Sequence, residues 1–338
     1  MSAAISIFVP HAGCPFQCAF CDQRAISGAQ RLPEEREIRE AAAIAARTVA
    51  RPETCQLAYF GGSFTAIGGE RMRFYLALGQ SLCRQYGFQG MRISTRPDCL
   101  SGETARLLRS YGVSTVELGV QSMDCRVLEA AGRGHGPEDT VRAAKTVREA
   151  GMELVLQMMT GLPESSPQSD FETAKELARL GPQGVRIYPT LVLEHTRLAA
   201  EYRAGRYRPG TLPETVELCA RLLEFFRRAE IPVVKLGLHA QEGLESRILA
   251  GPYHPALREL CEGRLFSRRI GWALAWSEAR QVAVCPRDLS LLRGHGGREL
   301  LGLRERFGEL RLRADGSLER GAFRLEALSC KESAELVK

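Results

Sequence analysis

The feature that most constrains this chain is an alternation of two textures through roughly its first two thirds. Apolar runs of strand length fall at 5–10, 56–60, 91–95, 115–120, 153–159 and 185–190. Amphipathic stretches with helical periodicity fill the intervals at 33–49, 70–86, 102–110, 137–150 and 168–180. Six strand signals separated by helices require parallel pairing through crossover connections, which predicts an α/β sheet or barrel. Gly151 and the Gly181-Pro182 pair read as helix stops within that series.

The texture changes near residue 192. Residues 195–204 and 213–229 look helical, 231–236 reads as one more strand, and 240–265 looks mostly helical. Beyond 268, short apolar runs at 272–276, 282–284, 310–312 and 322–325 suggest short strands or hairpins. The expected organisation is therefore an α/β domain over 1–240 and a small α+β extension over 241–338.

Several classes are excluded by simple arithmetic. The 338 residues are 44% hydrophobic and 25% charged, ordinary globular usage that rules out collagenous, coiled-coil and disordered chains. No apolar run approaches the roughly 20 residues of a bilayer span, so no membrane association is expected. Residues 1–13 carry no basic leader, and Pro10 and His11 interrupt the apolar run ahead of Ala12-Gly13-Cys14, so no export signal is expected. Eleven cysteines, an odd number without an export signal, then point to a reducing, cytoplasmic setting. Of 46 basic residues only five are lysine. Arginine suits phosphate, but a charge of +6 spread along the whole chain is more simply a solvated surface.

Cys14-Pro-Phe-Gln-Cys18-Ala-Phe-Cys21 follows the first strand, where a parallel barrel carries its reactive loops. Three thiols within eight residues can converge on a metal, and soft sulfur selects zinc or an iron–sulfur cluster. With three cysteines a cluster keeps one iron open for a ligand. A zinc site completed by His11 is the competing reading, although no second paired Cys-x2-Cys element occurs. The other eight cysteines are scattered singly, as small core residues are.

Cys14-x3-Cys18-x2-Cys21, with Phe20 before the last cysteine, resembles the motif of radical S-adenosylmethionine (SAM) enzymes. Further matches follow in order at the strand ends. Gly61-Gly62-Ser63 resembles the family's glycine-rich loop, where backbone must approach the SAM amino group. Val116-Glu117-Leu118-Gly119-Val120-Gln121-Ser122 resembles the segment whose Gln binds ribose, Arg133 stands where an Arg pairs with the SAM carboxylate, and Gln157 where relatives place another ribose ligand. The resemblance implies a partial (β/α)6 barrel of the TIM type. It also implies a [4Fe-4S] cluster on Cys14, Cys18 and Cys21, and SAM beside Phe20, Gly61, Gly62, Ser63, Gln121, Arg133 and Gln157.

Within that superfamily, Thr95-Arg96-Pro97-Asp98, Gly119-Val120-Gln121-Ser122 and Tyr188-Pro189-Thr190-Leu191-Val192 resemble the Elongator-like proteins, which modify wobble uridine in tRNA. There are departures. Ser94 stands where a Glu often precedes the Thr-Arg-Pro-Asp segment, Glu194 and His195 replace a basic residue and Gly, and residues 261–338 do not resemble the acetyltransferase domain. The implied activity is reductive cleavage of SAM to a 5′-deoxyadenosyl radical that abstracts hydrogen from a small-molecule or RNA substrate, tRNA included. The electron would come from a donor such as flavodoxin or ferredoxin. A coproporphyrinogen dehydrogenase-like oxidoreductase and a non-catalytic zinc-binding protein remain the alternatives. No catalytic residue is assigned. Tyr188, His195, Lys235, His239, Tyr253 and His254 are candidates to reach substrate, each more often an ordinary structural or surface residue.

Overall fold

A computed structural model describes residues 3–9, 14–22, 31–238 and 243–327. His11, Gly13, His239 and Cys330 lie outside the described residues. By their internal contacts the residues fall into two compact units, 1–211 with 226–255 and 212–225 with 256–338.

The first unit is built on seven parallel strands in the order β1-β2-β3-β4-β5-β6-β8. They are β1 (Ala3–Val9), β2 (Cys55–Gly61), β3 (Gly90–Thr95), β4 (Val113–Gln121), β5 (Glu153–Thr160), β6 (Gly184–Pro189) and β8 (Val233–Leu236). Six match the apolar runs of the sequence and β8 is the further strand at 231–236. The sheet, open at β1 and β8 among the described residues, is a partial barrel of the TIM type. The crossovers carry α1 (Glu35–Thr48), α2 (Gly69–Tyr86), α3 (Gly102–Ser110), α4 (Cys125–Ala130), α5 (Pro137–Glu149) and α6 (Pro167–Arg179). Their starts follow local chemistry: Ser101 and Ser166 accept from the backbone N–H groups of Thr104 and Ser169, and Pro137 and Pro167 occupy the first helical position, where no N–H is needed.

One face of the sheet presents Leu57, Tyr59, Met91, Ile93, Val116, Leu118, Leu154, Leu156, Val185 and Ile187, all fully buried. That is the core, and it explains why the strands were legible as apolar runs. The opposite face alternates with it and is polar: Gln56 on β2, Arg92 and Ser94 on β3, Thr115 and Glu117 on β4, Gln157 on β5, Arg186 and Tyr188 on β6.

After β6, a two-residue strand β7 (Val192–Leu193) pairs antiparallel with β9 (Ile248–Ala250). The expected helix over 240–265 is thus corrected: helix begins only at Leu257, because backbone at 248–250 is needed to pair with β7. Between them in the chain lie α7 (Arg197–Arg203) and α8 (Leu212–Arg228).

The second unit centres on α9 (Leu257–Leu274) and a sheet ordered β11-β10-β12. Its strands are β10 (Gln281–Val284), β11 (Arg311–Ala314) and β12 (Phe323–Glu326), with α10 (Leu289–Arg293) and α11 (Arg298–Phe307) between the first two. The strand expected at 272–276 is instead the end of α9. Phe266, Ile270 and Leu274 recur every four residues and bury against Val282, Val284, Leu292, Leu303 and Leu310, a helical period that overrides the aromatic composition. No helix among the described residues is long and apolar enough to cross a membrane.

Candidate active site

The cysteine segment is held on both sides by main-chain bonds. Ala19 N–H donates to the Ala131 carbonyl at the end of α4 (2.9 Å), and Leu198 N–H donates to the Ala19 carbonyl (2.8 Å). Between these anchors, Cys18 and Phe20 are buried among Val127, Ala131, Met159, Leu162, Val192, Leu198 and Ala199, with Cys21 packed alongside. Phe16 lies across Gly134, whose φ of +68° and missing Cβ leave the space: an added methyl would meet the ring at 2.6 Å. The Arg96 guanidinium covers the same ring at 5.1 Å.

The strand ends deliver the remaining groups. At the end of β2, Gly61 has φ +120°, and a Cβ there would stand 2.6 Å from the Val9 carbonyl oxygen, so the close approach of β1 and β2 requires glycine. Gly62 N–H donates to that same carbonyl at 3.0 Å. Ser63 is fully buried, and its hydroxyl pairs with Thr95 Oγ1 at 2.8 Å. Its backbone N–H faces the Cys14 thiol. Burial pushes that thiol's pKa up, opposed by the Ser63 N–H and by Arg96 and Arg133.

Arg133 is 5% exposed and donates through Nη1 to Cys18 Sγ (3.2 Å) and through Nη2 to the Gly119 carbonyl. Arg96 is bidentate to Asp98 (2.9 Å for both contacts) and also donates to the Arg133 carbonyl. Among the described residues, Arg133 Nε and Arg96 Nη1 are buried with no acceptor. Gly119 leaves the space beside them: a Cβ would stand 3.1 Å from Gln121 Nε2 and 3.5 Å from Arg133 Nη2. Gln121, in the left-handed region at φ 72°, accepts from Gln157 Nε2 at 3.4 Å. His135 is buried with Nδ1 4.0 Å from Asp98 Oδ1. Burial, with Arg133 and Arg96 nearby, holds its pKa down to about 4, so it is neutral beside the two guanidiniums near neutral pH.

The residues singled out by sequence therefore gather at one end of the sheet. Cys14 meets Ser63, Cys18 meets Arg133, Arg133 shares Gly119 with Gln121, and Gln121 meets Gln157. Arg96 and Asp98 belong to a sequence motif without an assigned role, and His135 follows Arg133 by two residues. The signal available was the spacing of Arg96 and Asp98, two apart around a proline. Of the substrate candidates, Tyr188 accepts from Arg186 Nη1 at 3.2 Å and Lys235 lies opposite Arg186 in register. His195 is exposed in a turn at φ 63°, Tyr253 packs with Leu191, Leu193 and Leu244, and His254 is half-buried.

A fit to an iron–sulfur cluster and SAM can be tested on these atoms. Three thiols in one short segment supply soft anionic ligands, and the guanidiniums of Arg96 and Arg133 lower the cost of assembling negative charge there. The two buried N–H groups without acceptors call for an anionic ligand such as a carboxylate. No group of three or more His, Cys, Asp or Glu side chains among the described residues is gathered as a single-ion site. Three thiols of one segment beside two buried guanidiniums are a donor set whose chemistry fits an iron–sulfur cluster.

Comparison with known proteins agrees with this geometry. Residues 8–178 match the Radical SAM superfamily and residues 182–266 the Radical_SAM C-terminal domain. The chain is 38% identical over 129 residues to a tRNA uridine(34) acetyltransferase of Dehalococcoides mccartyi, an alignment covering 37% of this chain and 28% of that protein. It is 31% identical over 181 residues to human Elongator complex protein 3, covering 52% of this chain and 32% of the relative. The chain thus spans less than a third of either relative's length. An archaeal Elp3 structure from Methanocaldococcus infernus, lacking its N-terminus, superposes with a TM-score of 0.64 at 21% identity, over 79% of this chain and 63% of that one. With the match running through both the cysteine segment and four further strands, this chain is a member of the radical SAM superfamily of enzymes.

Proposed function

We propose that the chain binds a [4Fe-4S] cluster through Cys14, Cys18 and Cys21, and SAM through Arg133, Gln121, Gln157 and the Gly61-Gly62-Ser63 backbone, and acts on a tRNA. When bound, these cofactors supply reductive cleavage of SAM and a carbon-centred radical able to remove hydrogen from substrate. The protein's own part is orientation and exclusion of water. Arg133 spans from Cys18 to the Gly119 carbonyl and keeps Nε for the SAM carboxylate, while Arg96, tied to Asp98, fixes Arg133 through its carbonyl. Neutral His135 adds bulk behind the pair without adding charge. Phe20 and the apolar residues around Cys18 keep that side dry.

The observation that carries this reading is the placement of two buried, acceptor-less guanidinium N–H groups beside the thiols. The tRNA substrate is supported by similarity to tRNA uridine(34) acetyltransferases. Acetyl transfer is not part of this proposal, which concerns the residues matched by the two radical SAM models. The zinc-binding alternative has the superfamily match against it.

The test is 5′-deoxyadenosine formation by the anaerobically reconstituted, reduced protein. Added tRNA should stimulate turnover, with an effect that falls steeply as salt rises. Stimulation by coproporphyrinogen with little salt dependence, and none by tRNA, would replace this substrate with the tetrapyrrole one.

A further inference from the structure

The polar face of the sheet holds a second charged cluster, towards the N-terminal ends of the strands from the cofactor residues. Arg92 Nη1 and Arg186 Nη2 both donate to the same oxygen of Glu117, Oε1, each at 2.9 Å. Glu117 is 2% exposed. Arg92 Nε also donates to Gln56 Oε1 (2.8 Å), and Gln56 in turn donates to Thr115 Oγ1 (2.8 Å). Arg186 lies over the Phe60 ring at 5.2 Å and donates through Nη1 to the Tyr188 hydroxyl at 3.2 Å. Its Nε is buried and has no acceptor among the described residues.

Arg186 Nε is a buried donor left for a ligand, beside a carboxylate oxygen that two guanidiniums already share. The stack on Phe60 and the bond to Tyr188 hold the Arg186 plane in one orientation, so a ligand would meet a fork already in place. Arg186 lies opposite Gln157 in the β5–β6 register, and Gln157 contacts Gln121. A group bound at Arg186 therefore lies on the same face as the cofactor residues, with the strand ends ahead of it.

We propose that Arg186, supported by Arg92, is an anion site that anchors a carboxylate or phosphate of the molecule on which the enzyme acts. The proposal rests on the preceding section only for what that molecule is. Anion binding itself needs neither cluster nor SAM, so the two readings fail separately.

The test is calorimetric titration of the full chain at fixed ionic strength with two probes, inorganic phosphate and malonate. The stronger probe identifies the chemistry. A saturable site that depends on Arg186 is expected, weakened about tenfold or more in Arg186→Gln, the scale of a lost charge-assisted hydrogen bond. Arg186→Lys should fall between, keeping charge and losing the fork. Arg133→Ala should leave this binding unchanged, which separates the site from the SAM carboxylate position. Glu117→Gln, which removes the negative charge that the two guanidiniums share, should bind more tightly. Absence of saturable binding for both probes, equal affinity in Arg186→Gln, or loss confined to Arg133→Ala would overturn the proposal. Unchanged secondary structure by circular dichroism in Arg186→Lys and Glu117→Gln keeps the comparison valid if Arg186→Gln folds poorly.

Discussion

The two faces of the seven-stranded sheet come from the same strands, residue by residue in alternation, yet they follow different rules. The face carrying Leu57, Tyr59, Ile93, Leu118, Leu156 and Ile187 is apolar and buried, and the crossover helices contribute further buried residues such as Ile38, Leu108 and Ala144. The other carries Gln56, Arg92, Glu117, Gln157 and Arg186, joined by hydrogen bonds that cross from strand to strand. On β1 that face is open, with Ser6 and Phe8 exposed while Ile7 and Val9 are buried. The first face gains stability from area removed from water and tolerates interchange among similar shapes; the Tyr59 hydroxyl on it donates to the Tyr75 carbonyl. The second holds polar groups where each needs a partner, a costly arrangement retained where a ligand supplies what the protein leaves unmet.

This contrast can be broken or sharpened by substitution. The largest effect is expected at the ligand end of the polar face. Cys18→Ala should lose cluster and SAM cleavage altogether, with near-native secondary structure, measured as iron and sulfide content and 5′-deoxyadenosine yield. Full cluster content in that variant would remove Cys18 from the ligand set. Next, Leu118→Ala on the apolar face should cost about 2–5 kcal/mol in denaturant unfolding. A cost well under that range would mean the face is not tightly packed. Third, Arg133→Ala should weaken SAM binding about tenfold, the loss of a charge-assisted contact, with cluster content retained. Unchanged SAM affinity would move the carboxylate partner elsewhere.

The smallest effect concerns a carboxyl that breaks the rule on the helical side. Asp170, on α6, accepts from Gly161 N–H at 2.9 Å, and burial pushes its pKa up to about 7 from an ordinary 3.8. Between those values the unfolded chain releases a proton that the native state keeps, so Asp170's contribution to stability falls as pH rises through that window. Asp170→Asn keeps an acceptor and removes the ionisation. Relative to the parent chain it should gain on the order of 1 kcal/mol between pH 5 and pH 6. An equal difference at the two pH values would place the carboxyl in an ordinary titration range.

The sequence disclosed the two faces unequally. The apolar face is periodic, so its strands could be read from runs such as Leu154 to Met159, and the parallel order followed from the intervening helices. The cysteine segment, Gln121, Arg133 and Gln157 were legible because they stand at fixed offsets from strand ends. The Arg92–Glu117–Arg186 cluster was not, since its members lie 25 and 69 residues apart and meet only once the strands are in register. Asp98 and His135 likewise meet across the site, and nothing local in either segment announces it. At 272–276 aromatic composition was misleading where the four-residue period of Phe266, Ile270 and Leu274 was the better guide.

The most direct test of the account is quantification of iron and acid-labile sulfide in anaerobically reconstituted protein, followed by the spectrum of the reduced cluster with and without SAM. About four iron and four sulfide per chain are expected, with a reduced-cluster signal that changes when SAM is added. Protein that holds about one zinc, no sulfide and no SAM would contradict the assignment of the thiol segment and of the polar face built around it.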